Sequence, residues 1–342
     1  MTKDSIKRSL IKNRAAVKAL YYFYRYRSLR TFNKAIKERE SIDLFDVEAL
    51  SKELPYCPKE WVIDNNLYGY ISELKHFANI NHPLDAYCEH GLFLGRVIHE
   101  DQRHWYTSKF ITMSEWRKEA ISSQLPNKKT LPIGPYLHYA RPFLDETQFK
   151  ELKRKLGKVL LVFPGHSVKN LKVEFNLDNF IDQIKKLAEG YDTILMSVYF
   201  LDAQLSEALK PYRDAGFKIV CSGHKFDPNF VRRQKTIIQL ADYTVSNEVG
   251  THLGYCLFMN KPHFIFQQEL KRKGSQTEQQ RHASMLTDSD RVSIENQKRE
   301  LIGLFNKSFE SGISQDQLLA IKKYWGFDSL KTKEELRQFL LD

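Results

Sequence analysis

The chain has 342 residues, 42% apolar and 13% aromatic, which is enough for packed cores and excludes a globally disordered protein. Its net charge of +11 is uneven: residues 1–40 hold twelve Lys and Arg against three acids, whereas the other 302 residues carry 41 basic and 39 acidic groups. A protein basic throughout is therefore excluded, and no run approaches the ~20 apolar residues that a membrane span needs.

Residues 1–40 predict a basic amphipathic helix. Ile6, Leu10, Val17, Leu20, Tyr21, Tyr24, Phe32 and Ile36 recur mostly at three- and four-residue steps, with Lys and Arg between them. Such a helix suits an anionic membrane surface, or it docks its apolar face on the body and leaves its charges in water. No zinc finger or RNP-like motif accompanies it, so no nucleic-acid partner is expected. Cys57, Cys88, Cys221 and Cys256 form no C-x-x-C pair and are expected to be reduced, mostly buried thiols of a cytoplasmic protein.

The length suggests two domains. The first is expected over 41–140. Trp61-Val62-Ile63 predicts a short strand and residues 67–78 a helix. Asp85–Cys88 leads into a loop at Glu89-His90-Gly91. Lys109–Met113 predicts a strand, and Ser114 the N-cap of a helix to about 123. Residues 131–136, with two prolines and a glycine, predict a stiff crossing or hinge.

The second domain, 141–289, alternates strands and helices. Strands are expected at 158–163, 193–199, 217–221, 243–245 and 263–266. Helices are expected at 177–189, 203–215, 230–240 and 250–259. That order predicts an α/β fold with a parallel sheet covered on both faces. Residues 272–280 predict a polar loop. The tail, 290–342, predicts helices broken at Gly303, Gly312 and Gly326.

Ligands of open parallel sheets bind beyond the carboxyl ends of the strands. Two polar motifs fall there. Pro164-Gly165-His166-Ser167 follows the first strand of the second domain, with Gly165 allowing close backbone approach and His166 and Ser167 offering donors. Ser246-Asn247-Glu248-Val249-Gly250-Thr251-His252 follows the fourth and opens a helix, whose free N–H groups suit phosphate. Glu248 is placed to take two ribose hydroxyls. Each motif also has a bland meaning, a turn or an N-cap; together they predict a nucleotide site. Neither is a P-loop or a G-x-G-x-x-G fingerprint. Arg232 and Arg233 are further candidates for phosphate, and Tyr136, His138 and Tyr139 for the cleft wall. His82, His99 and His104 are scattered. Asp288-Ser289-Asp290 is away from any strand end and predicts a turn or helix cap.

These motifs resemble the GT-B superfamily of nucleotide-dependent glycosyltransferases, and more narrowly the bacterial enzymes of capsule, lipopolysaccharide and teichoic-acid assembly. The likeness lies in Leu240–Asn247, Gly250-Thr251-His252 and Asn260-Lys261-Pro262, and covers about residues 60–270. Pro164–Ser167 is similar to the His motif of sialyltransferase-like enzymes. Cys88–Gly91 is similar to the His-Gly motif of teichoic-acid glycerophosphotransferases. The chain departs from the sialyltransferase pattern in having His166-Ser167 for His-Pro and Glu89-His90 for two acids.

The resemblance implies two Rossmann-like domains facing a cleft, an acceptor domain first and a nucleotide-donor domain second. It implies transfer of a sugar or related group from a nucleotide-activated donor to a surface-polysaccharide or lipid-linked acceptor. A sugar hydroxyl needs a base to attack near neutral pH. His90 is expected in that role with Glu89 its rival, and Gly165, His166, Ser167, Ser246, Asn247, Glu248, Gly250 and Thr251 are expected around the donor. Helix-start donors would replace a metal, so no cofactor or cation is expected, and the transfer is expected to invert. Such an enzyme would be cytoplasmic and peripheral at the inner membrane face. A nucleotide-sugar epimerase of similar fold and a non-catalytic assembly scaffold are the alternatives.

Overall fold

The computed structural model describes residues 13–99, 102–103, 106–168, 171–275, 286–307, 309 and 312–342. Helix α1, Arg14–Arg39, starts where the Asn13 side chain accepts from the Ala15 and Ala16 N–H groups. Its first apolar markers, Ile6 and Leu10, lie outside the described residues. Tyr21, Phe32, Ile36 and Arg39 are buried, at helical spacing along one face. Leu20 and Tyr24, expected on that face, are exposed together with Tyr22, Phe23 and Tyr26. Consecutive helical residues turn by about 100°, so a cluster of aromatics at 21–24 cannot share one face. The helix therefore docks through one stripe and shows aromatics elsewhere.

Docking is polar as well as apolar. The Tyr21 hydroxyl donates to the Lys59 carbonyl at 3.0 Å, and Arg39 donates to the Leu50 carbonyl at 2.8 Å. Trp61 and Val62 are buried beside Tyr21, yet 61–63 is a bend and not the expected strand. Asn66 gathers that segment into a loop: it accepts from the Lys59 and Glu60 N–H groups and donates to the Glu60, Val62 and Ile63 carbonyls. Those local bonds compete with strand pairing. Next, α2, Val47–Ser51, packs on the later sheet, and α3, Tyr70–Phe77, falls inside the expected helix.

The first sheet is parallel, in the order β1 Ala86–Cys88, β2 Lys109–Thr112, β3 Lys129–Pro132. Helix α4, Glu115–Gln124, connects β2 to β3, and the Ser114 hydroxyl accepts from the Arg117 N–H as its N-cap. The expected crossing at 131–136 begins as strand β3, whose Pro132 pairs with Thr112 at the strand end. Proline is tolerated there because β3 is an edge strand.

The second sheet contains β4 Val159–Phe163, β6 Thr193–Val198, β7 Lys218–Cys221, β8 Tyr243–Ser246 and β9 His263–Ile265, all parallel, in the order β7-β6-β4-β8-β9. Each is short and largely buried, because both faces are covered. In β4, Val159, Leu161 and Phe163 enter one core, and Leu160 and Val162 the other. The covering helices include α5 Glu146–Leu156, α6 Leu177–Leu187, α7 Phe200–Ala203, α8 Ser206–Asp214, α9 Phe230–Leu240 and α10 Thr251–Phe258. A small antiparallel pair, β5 Lys172–Glu174 with β10 Lys271–Lys273, stands where part of a polar loop was expected; residues 276–280 of that stretch are outside the described set.

Among the described residues, α-helices α11 Asp288–Phe305, α12 Gln315–Trp325 and α13 Lys333–Leu341 follow. Gly303 lies within α11 and does not break it, whereas Gly326 ends α12 in the left-handed conformation. Trp325 packs directly on Gly254 of α10. The chain then returns to the first sheet, where Lys109 Nζ donates to the Leu340 carbonyl at 3.1 Å. Asp288-Ser289-Asp290 opens α11, with Asp290 in a capping box with Thr287, as expected of a helix cap. All four cysteines are free and buried. No helix among the described residues is long and apolar enough to cross a membrane.

Candidate active site

The order of the large sheet reverses between β4 and β8, and Phe163 pairs with Ser246 at the carboxyl ends of these neighbours. This is the switch point where an open parallel sheet leaves a crevice. A cleft of about 420 Å3 lies there. From the second sheet it is lined by Pro164, Gly165, His166, Tyr199 and Glu248–His252; from the first, by His90–Phe93; and from the segment before α3, by Tyr68 and Tyr70.

The two polar loops are fastened to each other. The Gly165 N–H donates to Asn247 Oδ1 at 2.6 Å, and Asn247 Nδ2 donates to Gln268. A Cβ at Gly165 would lie 2.2 Å from Leu270 Cδ2, so a larger residue there would have to displace the end of that side chain. Ser246 is fully buried; its hydroxyl lies 2.8 Å from the Glu248 carbonyl and 2.9 Å from His263 Nε2. Ser167 donates its N–H to Asp202, and its hydroxyl accepts from the Val173 N–H. Ser246, Asn247 and Ser167 were expected to touch the donor, but the structure places their polar groups in these internal bonds and none of them lines the cleft.

His166, Gly165, Glu248, Gly250 and Thr251 do line it. The His166 ring is exposed and packs on Tyr199, with centroids 4.5 Å apart. Its Nδ1 is 3.0 Å from the Ser167 carbonyl, which can only accept, so Nδ1 carries a hydrogen and Nε2 is left for a ligand. Glu248 is ion-paired with Arg272 of β10, which brings a guanidinium to the same wall. Gly250 is the extended N-cap of α10, whose first N–H groups have no carbonyl one turn back. Thr251 Oγ1 accepts from the Leu92 N–H at 2.9 Å, joining the His90 loop to this helix start.

The adjacent pair Glu89 and His90 divides as residues on an extended strand do. Glu89 is buried: Arg117 donates to Oε1 at 2.7 and 2.9 Å, Gln102 at 3.2 Å, and Thr112 donates to Oε2 at 2.6 Å. It is absent from the cleft wall, which corrects its place as rival base: its acceptor positions are committed to a buried ion pair. His90 faces the cleft with 32% of its side chain exposed. Its Nδ1 is the buried nitrogen, 3.9 Å from Asp64 Oδ2, so Nε2 is the one a substrate can reach. Asp64 is itself held by the Tyr87 hydroxyl at 2.8 Å.

Several buried polar atoms among the described residues lack a hydrogen-bond partner, and three of them, His90 Nδ1, Gln234 Oε1 and His252 Nε2, belong to residues on this wall. Leaving one such group unsatisfied costs about 1–3 kcal/mol. His252 stacks on Phe163 at 4.7 Å, and burial, with His166 nearby, lowers its pKa to about 3. It is therefore a neutral imidazole at physiological pH.

The remaining candidates lie elsewhere. Arg233 is fully buried and bonds Asp227 at 2.8 Å and the Arg39 carbonyl at 2.9 Å, which ties α1 to the second sheet. Arg232 donates to Asn229 and to the Pro142 carbonyl. Neither lines the cleft as expected. Tyr136 and Tyr139 are core residues, and His138 packs on Phe77 and Phe258. His82 and His99 do not line the cleft, and His104 is outside the described residues. Sequence reasoning missed Tyr68, Tyr199, Gln234 and Arg272. Only Tyr68-Gly69 left a local trace, an aromatic beside a glycine before a helix. Among the described residues no group of three His, Cys, Asp or Glu side chains is disposed to hold a metal.

No protein-family model matches the sequence, and no curated protein matches it. Solved structures do. A structure of the wall teichoic acid polymerase TagF with CDPG is 12% identical over 73% of this chain, with a TM-score of 0.42. The chain spans 66% of that protein, just under two thirds. Another TagF structure is 11% identical over 93% of this chain and 97% of that one, with a TM-score of 0.44. The UDP-GlcNAc 2-epimerase from Neisseria meningitidis bound to UDP-GlcNAc is 11% identical over 87% of both chains, with a TM-score of 0.37. All three likenesses are distant.

Proposed function

We propose that the cleft binds a nucleotide-activated sugar and transfers the sugar, or a related group, to a hydroxyl of a surface-polysaccharide or lipid-linked acceptor. The observation that supports this most is the convergence of His90, His166 and the start of α10 on one cleft at the β4/β8 switch point. The donor phosphates lie at the N–H groups of Gly250 and Thr251, where the helix dipole favours negative charge. His166, in its imidazolium form, donates Nε2–H to the same phosphates, and Glu248 accepts from the ribose hydroxyls.

The acceptor hydroxyl attacks the anomeric carbon while His90 Nε2 takes its proton. The bond from that carbon to the phosphate oxygen breaks, and its electron pair leaves with the nucleotide. Charge on the leaving phosphate is met by the α10 start and by Arg272, so the reaction proceeds without a divalent cation. One base and no covalent intermediate give inversion. Asp64 stabilises the imidazolium that forms on His90.

Helix α1 keeps the enzyme at an anionic membrane face, close to a lipid-linked acceptor. Its exposed Tyr22, Phe23, Tyr24 and Tyr26 and its surplus of Arg and Lys support that placement.

The test is a thermal-shift titration with CMP, CDP, UDP and GDP. At least one nucleotide should raise the melting temperature of the wild type, and His166→Ala should weaken that nucleotide by about 1–3 kcal/mol. No shift with any of the four would overturn the reading.

A further inference from the structure

A second cavity, of about 320 Å3, lies on the other side of the Tyr68–Gly69 connection, between α1, the 57–66 loop, α3 and the 226–228 loop. Phe32 of α1 forms part of its wall, and Lys59, Lys75 and Arg141 bring three cations to it against one acid, Glu60. That acid is committed: Glu60 Oε1 accepts from Lys75 at 2.6 Å, and Oε2 from the Leu84 N–H at 2.8 Å. Arg141 is bound by Glu73 at 2.7 Å.

Lys59 is different. Its side chain is half-buried, and its ammonium sits 5.1 Å from the Phe32 ring centroid and has no acidic partner among the described residues. Burial lowers its pKa, as do two cationic neighbours, Arg25 and Lys75. Removing a cation partly from water without a counter-charge is costly. Such a group is retained at lowest cost where an anion completes the site. The volume holds a phosphate with several waters, each of about 30 Å3, and the Ser72 hydroxyl and His76 ring on the same wall supply further donors.

We propose that the cavity around Lys59 is an anion site, separate from the cleft, that takes a phosphomonoester or phosphodiester group. The group comes from a lipid headgroup beneath α1 or from a free phosphate. The chemistry of recognition is the same in both cases: an ammonium, hydroxyl and imidazole donors, and no free carboxylate.

Inorganic phosphate and dihexanoyl phosphatidic acid are each titrated calorimetrically into the full chain at constant ionic strength against chloride. Lys59→Gln should lose at least about tenfold in affinity for whichever binds. Lys59→Arg should stay within about threefold of wild type, since it keeps the charge. Lys186→Gln, an exposed charge on α6 away from both cavities, should bind as wild type does. Tighter binding of the lipid identifies a headgroup; equal binding identifies free phosphate. In the wild type, the bound anion should also protect Lys59 from reductive methylation, read by mass spectrometry. Binding by Lys59→Gln equal to wild type, no heat above the chloride background, or unprotected Lys59 would each overturn the proposal.

Discussion

The Tyr68 and Tyr199 hydroxyls lie 2.9 Å apart across the cleft, one on the segment before α3 and the other at the end of β6. Both phenols are partly buried, and burial raises their pKa values, so both remain protonated at neutral pH. Tyr68 is further held by its backbone. It has a φ of 58°, its N–H donates to the Lys225 carbonyl at 2.6 Å, and its carbonyl accepts from Val231 at 3.1 Å. This segment is thus a clasp that ties the end of β6 and the start of α9 to the residues before α3.

Replacing either tyrosine by Phe should cost about 1 kcal/mol of stability in urea titration. The double variant should cost less than the sum of the two, because each single variant already removes the shared bond. Strict additivity would show that the contact contributes nothing.

Glu89 and His90 should separate cleanly by measurement. Glu89→Gln breaks a buried, multiply bonded ion pair with Arg117 and should destabilise the protein by about 3–5 kcal/mol. His90→Gln replaces a partly exposed ring and should change stability by less than about 0.5 kcal/mol, while transfer activity falls by about 100-fold or more. Full transfer by His90→Gln, with wild-type stability, would move the base elsewhere.

What the sequence made legible, and what it did not, follows from the range of the bonds involved. The strands of the second sheet are short, mostly buried runs rich in apolar and β-branched residues, and such runs announce themselves locally. Their carboxyl ends therefore placed Gly165, His166 and the α10 start correctly on one edge. The duties of the polar residues there depend on distant partners. Ser246 meets His263, 17 residues on, and Asn247 meets Gly165 at a separation of 82. Glu89 meets Arg117 at a separation of 28, and Tyr68 meets Tyr199 at 131. No spacing rule reports such pairs, so a serine and an asparagine that look like phosphate donors serve as internal struts.

Two glycines should not tolerate a methyl group. A Cβ at Gly69, where φ is +71°, would lie 2.2 Å from the Pro228 carbonyl oxygen; at Gly254 it would lie 2.3 Å from the Trp325 indole. Both neighbours are stiff. Gly254→Ala should cost at least about 1–3 kcal/mol through overpacking. Gly69→Ala adds a strained backbone of about 1 kcal/mol or more and separates the halves of the clasp. Gly190, with φ of +81° but nothing within 4 Å, is the control: Gly190→Ala carries only the backbone cost. Denaturant midpoints that place Gly190→Ala below Gly254→Ala would contradict the packing account.

Stability should fall on the acid side of pH 6.5. Burial lowers the pKa of His252 to about 3 and that of His224 to about 4, and puts His263 well below its ordinary value. Unfolded, each binds a proton near pH 6.5. Between that pH and the folded value, the unfolded chain holds the extra proton, so stability is complete above pH 6.5 and declines as pH falls. Each histidine adds up to about 1.4 kcal/mol per pH unit to the slope. The hydrogen bonds agree for His224, whose Nδ1 accepts from the Phe226 N–H and whose Nε2 faces Glu53 at 3.1 Å. His224→Gln should flatten the profile by one proton between pH 6.5 and 4. An unchanged slope would mean that His224 is already protonated in the native state.

The exposed face of α1 carries the last expectation. Tyr22, Tyr26 and Arg30 follow at four-residue steps, and Phe23, Arg27, Arg30 and Lys34 form the stripe beside them. Tyr26 is 88% exposed and Tyr22 64%, whereas the docking stripe of Tyr21, Phe32 and Ile36 is under 9%. The helix therefore shows a second aromatic stripe, Tyr22, Phe23 and Tyr26, apart from the one used by the body, with Tyr24 exposed on another side. Exposed Tyr and Phe flanked by Arg and Lys match the interface of an anionic bilayer, where each well-placed basic residue contributes about 1 kcal/mol. The full chain should sediment with phosphatidylglycerol vesicles, and far less with phosphatidylcholine. Binding should weaken as salt shortens the screening length. Changing Tyr22, Phe23, Tyr24 and Tyr26 together to Ser should release it without unfolding the helix, since none of the four is buried. Sedimentation of that variant equal to wild type would leave α1 as a docked helix whose second face is simply solvated.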